Sequence, residues 1–252
     1  MKQLLLHVSD HVNRQGVAVP LSPLRVEFAL ATLASLGLVV LLSSWPGHEA
    51  SLTAALAVFT VGVVAAGVGM HHGYPHRDLG LCNLITLARL ALTAALSALL
   101  FLPMPLNDPV LWYAFAIASA ALMLDGVDGW AARRAGLTSH FGARFDMEVD
   151  SAFALILALL AFQTGQAGAW VIALGLPRYL FLAAGYIWPV LTGTVPARFS
   201  RKAVCVLQIG ILVAFLVPVL PATALVAAAA CAVLALIWSF SLDIRHLMSR
   251  AG

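Results

Sequence analysis

The chain has 252 residues, is 62% hydrophobic, and carries 14 Lys and Arg against 11 Asp and Glu. A charged fraction of 10% and a mean hydropathy of +0.97 exclude disorder and an ordinary soluble domain, where roughly 25% of residues are charged. Cys82, Cys205 and Cys231 lie in or beside apolar runs without metal-like spacing, which excludes a disulfide scaffold and leaves them as small core residues.

In chain order, Lys2 and the run from Leu4 to Leu6 are interrupted by Ser9, Asp10 and His11, too early for a signal-peptide core, so an interfacial helix is expected there. Eight apolar stretches then approach the length of about 20 residues that a membrane span requires. They run from Phe28 to Trp45, Ser51 to Met70, Leu84 to Leu102, Val110 to Ala132, Phe145 to Thr164, Ala169 to Pro189, Ala203 to Val217 and Ala222 to Leu242. Gly and Pro fall between them, at Pro46-Gly47, Gly73 with Pro75, Pro103 with Pro105, Gly165 with Gly168, and Pro218 with Pro221. The expected fold is an all-α membrane protein of about eight transmembrane helices. Residues 1–80 hold the interfacial segment and two additional helices, and 81–252 a six-helix core.

The basic residues alternate along this ladder. They cluster before the first span, around the second, fourth and sixth connections, and after the last span, while the first, third, fifth and seventh connections contain none. The positive-inside rule then puts both termini and every basic connection on the cytoplasmic side. It also accounts for the net charge of +3 and pI near 9.0 without nucleic acid. Trp45, Trp112, Trp170 and Trp188, near span ends, read as an interfacial belt.

Acidic residues are concentrated. Asp125, Asp128, Asp146, Glu148 and Asp150 occupy a window of 26 residues. An Asp near mid-bilayer costs about 2.5 to 3.5 kcal/mol on insertion scales, so a compensating cation or an aqueous cavity is required. Asp125, Asp128, Gly129, Ala132 and Arg133, at offsets 0, 3, 4, 7 and 8, form one stripe of an α-helix; Gly142, Asp146 and Asp150 form a second at spacing 4. A short connection makes the two helices antiparallel neighbours, so the carboxylates converge toward the cytoplasmic end. Glu148 is off this stripe. Hard oxygen ligands favour Mg²⁺ or Mn²⁺, and Gly129 and Ala132 leave a bare face for a flat or bulky ligand. Metals, a cavity and a nearby Arg suit displacement at a pyrophosphate. The alternatives are a cation or proton path through intramembrane Asp residues, a prenyl-pyrophosphate transferase, and simple helix packing by the small residues. His71, His72 and His76 lack a Cys or acidic partner at useful spacing except Asp78, and His140 reads as a solvated loop residue.

The run Asp125-x2-Asp128-Gly129-x2-Ala132-Arg133-x8-Gly142-x3-Asp146-x3-Asp150 resembles the signature of the CDP-alcohol phosphotransferase family at all eight specified positions. Upstream, Asn83-x2-Thr86-x2-Arg89 is similar to the family's Asn, Thr and Arg helix, with Cys82 where many members have Pro. Lys202 and Gln208 resemble a Lys and Gln pair on the fifth core helix, with Cys205 replacing a common Thr. The resemblance covers about Asn83 to Leu242. It implies a homodimeric membrane enzyme in which an alcohol attacks the β-phosphorus of a CDP-linked donor and CMP leaves. By the same resemblance, Asp125, Asp128, Asp146 and Asp150 bind two Mg²⁺ or Mn²⁺ ions, and Asp150 is also the general base. Asn83, Thr86, Gly129, Ala132, Arg133 and Gly142 line the nucleotide site.

The acceptor is read from basic residues. Arg178 lies inside the sixth span, where a buried Arg requires a partner, and Arg198, Arg201 and Lys202 approach from the following loop. With Arg89 they suggest a phosphorylated polyol as acceptor and CDP-diacylglycerol as donor, in the inner (cytoplasmic) membrane of a bacterium. Competing readings have the loop residues facing anionic lipid headgroups, Arg178 pairing with an acid for structural reasons, and the donor being a CDP-amino alcohol with diacylglycerol as acceptor.

Overall fold

The computed structural model describes residues 23–45, 49–76, 78–135, 139–192 and 198–249; at residues 49, 50, 72, 73, 127–135, 191, 192 and 199 only the backbone is described. The expected interfacial segment at the N-terminus lies outside these residues. Every regular element among the described residues is a helix, and none is a strand. The α-helices are α1 (Pro23–Ser43), α2 (Glu49–Gly73), α3 (Gly80–Ala98), α4 (Asp108–Ala135), α5 (His140–Gln163), α6 (Pro177–Ile187), α7 (Phe199–Ala214) and α8 (Ala222–Met248). Short 3-10 turns lie at Leu99–Phe101, Ala169–Leu174 and Pro189–Thr192.

Five segments among the described residues are long and apolar enough to cross a membrane: Pro23–Ser43, Ser51–His71, Gly80–Phe101, Asp108–Gly126 and Ala222–Met248. Large apolar side chains such as Leu30, Leu33, Leu41, Val61, Val64, Leu234 and Ile237 point outward. That is costly in water and favourable in lipid. The four belt residues Trp45, Trp112, Trp170 and Trp188 are all exposed, and each is next to a helix end.

The centre of the bundle is α3, which packs against α1, α2, α4 and α5 and is buried along nearly its whole length. Lipid tails are as apolar as Leu, so close packing of small residues rather than water exclusion must hold such helices together. On α3, Ala91, Ala94 and Ala98 are buried in the apolar cluster shared with α1 and α2, whereas Leu92, Leu96 and Leu99 are buried in a second cluster with Ala114, Ala118 and Ala121 of α4. The N-terminal pair packs on this centre with one face and leaves most of its surface outward. Val39, Ala55, Phe59 and Ala66 share one apolar cluster with Leu87 and Leu90 of α3 and with Phe141, Phe145 and Val149 of α5.

The sixth apolar stretch differs from the expected span. Instead of one helix from Ala169 to Pro189, the backbone forms a 3-10 turn, the 11-residue helix α6 and a second 3-10 turn. Pro177 and Pro189 donate no backbone N–H, so neither can continue a preceding helix. At Gly175 an added Cβ would lie 2.7 Å from the Leu155 Cα and 3.0 Å from the Ala154 carbonyl oxygen. The turn therefore seats directly on the α5 backbone, where only glycine fits. Hydropathy registered this stretch as apolar but carried no information on its continuity.

Candidate active site

The site is built at the end of the bundle where α4 finishes and α3 and α5 begin. Asn107 Oδ1 accepts from the Val110 backbone N–H at 3.1 Å and starts α4, which carries Asp125 toward its far end. Ser139 caps α5: its Oγ accepts the Gly142 N–H at 2.9 Å. This starts α5 five residues before the expected Phe145 and places Gly142 in its first turn, with Asp146 and Asp150 one and two turns further on the same face. From α3 come Asn83, Thr86 and Arg89, each three residues apart and each buried.

Arg89 is the hub. Only 2% exposed, its Nη2 is 2.9 Å from Asp125 Oδ1 and its Nη1 is 2.5 Å from Asp146 Oδ1. Its Nη2 also donates to Asp150 Oδ1. One guanidinium thus joins α3, α4 and α5, using the fork of donors that suits Arg to several carboxylates at once. It is the positive group that the acid-rich helices require. The three acids meanwhile keep 36–47% of their side-chain surface exposed, so the cluster is only partly enclosed.

A carboxylate oxygen from each of Asp125, Asp146 and Asp150 lies within 4.8 Å of the others. With Arg89 counted, the ionised cluster keeps a formal excess of two negative charges. Hard oxygen donors, residual negative charge and partial exposure suit a divalent cation of the Mg²⁺ or Mn²⁺ type. The side chains of Asp128, Gly129, Ala132 and Arg133 lie outside the described residues; the backbone of α4 is helical through all four.

Of the residues expected at the nucleotide site, Asn83 and Gly142 are neighbours. A Cβ at Gly142 would sit 3.1 Å from Asn83 Oδ1 and 3.1 Å from Ser139 Oγ, so the glycine lets the first turn of α5 approach the Asn83 amide. Thr86 Oγ1 donates to the Cys82 carbonyl at 3.0 Å.

The residues expected to bind the acceptor are dispersed. Arg89 belongs to the carboxylate cluster, within α3 and not in the connection before it. Arg178, the second residue of α6, pairs with Glu148. Arg198 pairs with Asp243 of α8, and Arg201 Nη1 lies 3.5 Å from the other Asp243 oxygen. Lys202 is exposed. Cys205 lies one turn beyond Arg201 on α7, a helix that packs against α5. Gln208, two turns from Arg201 on the same helix, donates to the Leu174 carbonyl.

Two of these partners were missed from sequence. Glu148 is off the acidic stripe, and Asp243 is a lone acid near the end of the last span. A buried acid in an apolar helix is itself a sign of a cationic partner, and Asp243, at 4% exposure, fits that rule. Glu27 and Tyr74 were also passed over. Glu27 Oε2 accepts the Leu79 N–H at 2.8 Å, and the Tyr74 hydroxyl donates to the Leu79 carbonyl at 2.7 Å.

A helical bundle with five segments long and apolar enough to cross a bilayer is an integral membrane protein. The family model for CDP-alcohol phosphatidyltransferase matches residues 79–238, well over half the chain, and the protein belongs to that family of membrane transferases of phosphate-containing groups. No curated protein and no solved structure matches the chain at a significant level.

Proposed function

We propose that the protein transfers the phosphatidyl group of CDP-diacylglycerol to an alcohol acceptor, a phosphorylated polyol, and releases CMP in phospholipid biosynthesis. The observation that carries this reading is the convergence of Asp125, Asp146 and Asp150, from two helices, on one point. In this reading Asp125, Asp128, Asp146 and Asp150 hold two Mg²⁺ or Mn²⁺ ions. Bound there, the ions neutralise the charge of the pyrophosphate.

The chain's own groups supply the rest. Asn83, Thr86, Gly129, Ala132, Arg133 and Gly142 bind and orient the cytidine end of the donor. Asp150 accepts the proton of the acceptor hydroxyl as its oxygen bonds to the β-phosphorus. The bond from that phosphorus to the bridging oxygen breaks, and CMP departs with the electron pair. Arg89 holds the carboxylates together before the donor arrives.

The ion pairs support a phosphorylated acceptor. Arg198, Arg201 and Lys202 set against Asp243 leave a formal excess of two positive charges, which matches the roughly −1.5 to −2 charge of a phosphate monoester. The positive-inside pattern supports a cytoplasm-facing site in a bacterial inner membrane, and family membership supports a homodimer.

The test is incubation of the purified protein with labelled CDP-diacylglycerol, Mg²⁺ and a panel of acceptors: glycerol phosphate, inositol phosphate, inositol, serinol-type compounds and choline. Lipid chromatography and CMP release are the readouts. A phosphorylated polyol should react. Turnover only with CDP-choline or CDP-ethanolamine plus diacylglycerol would replace the donor, and ion flux in vesicles without nucleotide would replace the enzyme reading with a transporter.

A further inference from the structure

The contacts of Leu79 lead from the N-terminal helices into the nucleotide subsite. Its backbone N–H is held at 2.8 Å by Glu27 Oε2 from α1. Its carbonyl accepts from Asn83 Nδ2 at 2.6 Å and lies 2.7 Å from the Tyr74 hydroxyl, whose one proton is shared between this carbonyl and that of Asp78 at 2.9 Å. Asn83 Nδ2 also donates to the Tyr74 oxygen at 3.1 Å. The Tyr74 ring is fixed edge-on against Phe141 of α5, with centroids 5.6 Å apart. Burial pushes the Tyr74 phenol above its ordinary pKa, so the hydroxyl remains a donor at neutral pH.

This network fixes the polarity of an amide. A backbone carbonyl only accepts, so the Asn83 nitrogen must face Leu79; the Tyr74 hydroxyl, whose proton goes to a carbonyl, takes the second N–H. Both amide hydrogens are then committed. The Asn83 oxygen is left on the opposite side, turned toward Gly142. An acceptor held there suits the N4 amino group of cytosine and opposes the O4 acceptor of uracil.

We propose that Glu27 and Tyr74 are positioning residues for base selection: by gripping Leu79 and the Asn83 nitrogen, they present the Asn83 oxygen to cytosine. This rests on the reading of Asn83 as a nucleotide ligand. Both residues lie upstream of the region 79–238 matched by the family model, so in this reading α1 and the connection after α2 support the nucleotide site.

The experiment measures CMP and UMP binding to the full-length protein in detergent by calorimetry. Loss of one net hydrogen bond corresponds to about a fivefold change in affinity. Tyr74→Phe should weaken CMP by about that factor and leave UMP as it was. In turnover, Tyr74→Phe should raise the KM for the CDP-linked donor while kcat stays within about twofold. Glu27→Ala should shift the CMP-to-UMP ratio in the same direction. Glu27→Gln, which keeps an acceptor for the Leu79 N–H, should restore it, and this pair remains decisive if Tyr74→Phe does not fold. The proposal is overturned if Tyr74→Phe and Glu27→Ala keep the wild-type ratio while Asn83→Ala lowers it, or if they weaken both nucleotides equally. Unchanged CMP affinity in Asn83→Ala would instead remove the nucleotide reading of Asn83 itself.

Discussion

Arg89 and Asp146 meet at 2.5 Å where α3 packs against α5. The same guanidinium reaches Asp125 and Asp150, so three acids on two helices share one buried cation. Removing the cation leaves three like charges facing one another, although their partial exposure screens the repulsion and keeps the loss below that of a fully buried pair.

Arg89→Met should therefore be destabilised in chelator, and addition of Mg²⁺ should recover more stability in the variant than in the wild type. Thermal unfolding in detergent, with EDTA and with Mg²⁺, measures both. Equal stabilisation of the two proteins by Mg²⁺ would falsify the idea that guanidinium and metal address the same carboxylates.

Asp150→Asn keeps the side-chain volume and can still accept from Arg89 through its carbonyl oxygen, but its amide cannot take a proton. CMP release in the presence of Mg²⁺ should fall by at least about 10²-fold, the lower range for loss of a general base, while the protein still extracts and migrates as a folded species. Near-normal turnover would reassign the base.

Gly142→Ala brings a methyl group to 3.1 Å from the Asn83 oxygen and from Ser139 Oγ. Accommodation requires the amide to move, so CMP affinity should drop while stability falls by only about 1–3 kcal/mol, the usual range for overpacking. Calorimetric titration with CMP checks this, and wild-type affinity would mean that the space beside Asn83 is not used by the nucleotide.

Asp243 is the buried half of its pairs with Arg198 and Arg201. Asp243→Asn should leave the two guanidiniums without their counter-charge and lower the unfolding temperature. If these arginines also bind an acceptor phosphate, a phosphorylated acceptor should stabilise this variant more than it stabilises the wild type. Thermal unfolding with and without glycerol phosphate separates the outcomes; identical shifts would confine both arginines to a structural role.

Gly175→Ala tests the broken sixth element. With a Cβ forced to 2.7 Å from the Leu155 Cα, the 3-10 turn must lift from α5, and the unfolding midpoint should fall by the equivalent of about 1–3 kcal/mol. An unchanged midpoint would show that the turn does not seat on α5 as described.

The membrane class, the helix order and the acidic stripe were legible in the chain itself. They depend on hydrophobic run length and on side-chain spacing of three and four, both of which follow from local helical geometry. Asp125, Asp146 and Asp150 could therefore be assigned to one point before any contact was known. Only the tertiary structure decided what neutralises them. Arg89 lies 36 residues before Asp125 in sequence, and no periodicity links α3 to the α4–α5 pair. The same is true of Glu148 with Arg178, of Asp243 with Arg198, and of Glu27 with Leu79: each contact joins residues far apart in the chain, and its existence follows from how the helices pack. The break at Gly175 is of the same kind, because an apolar run records what a segment is soluble in, whereas its path depends on the backbone of α5 beneath it.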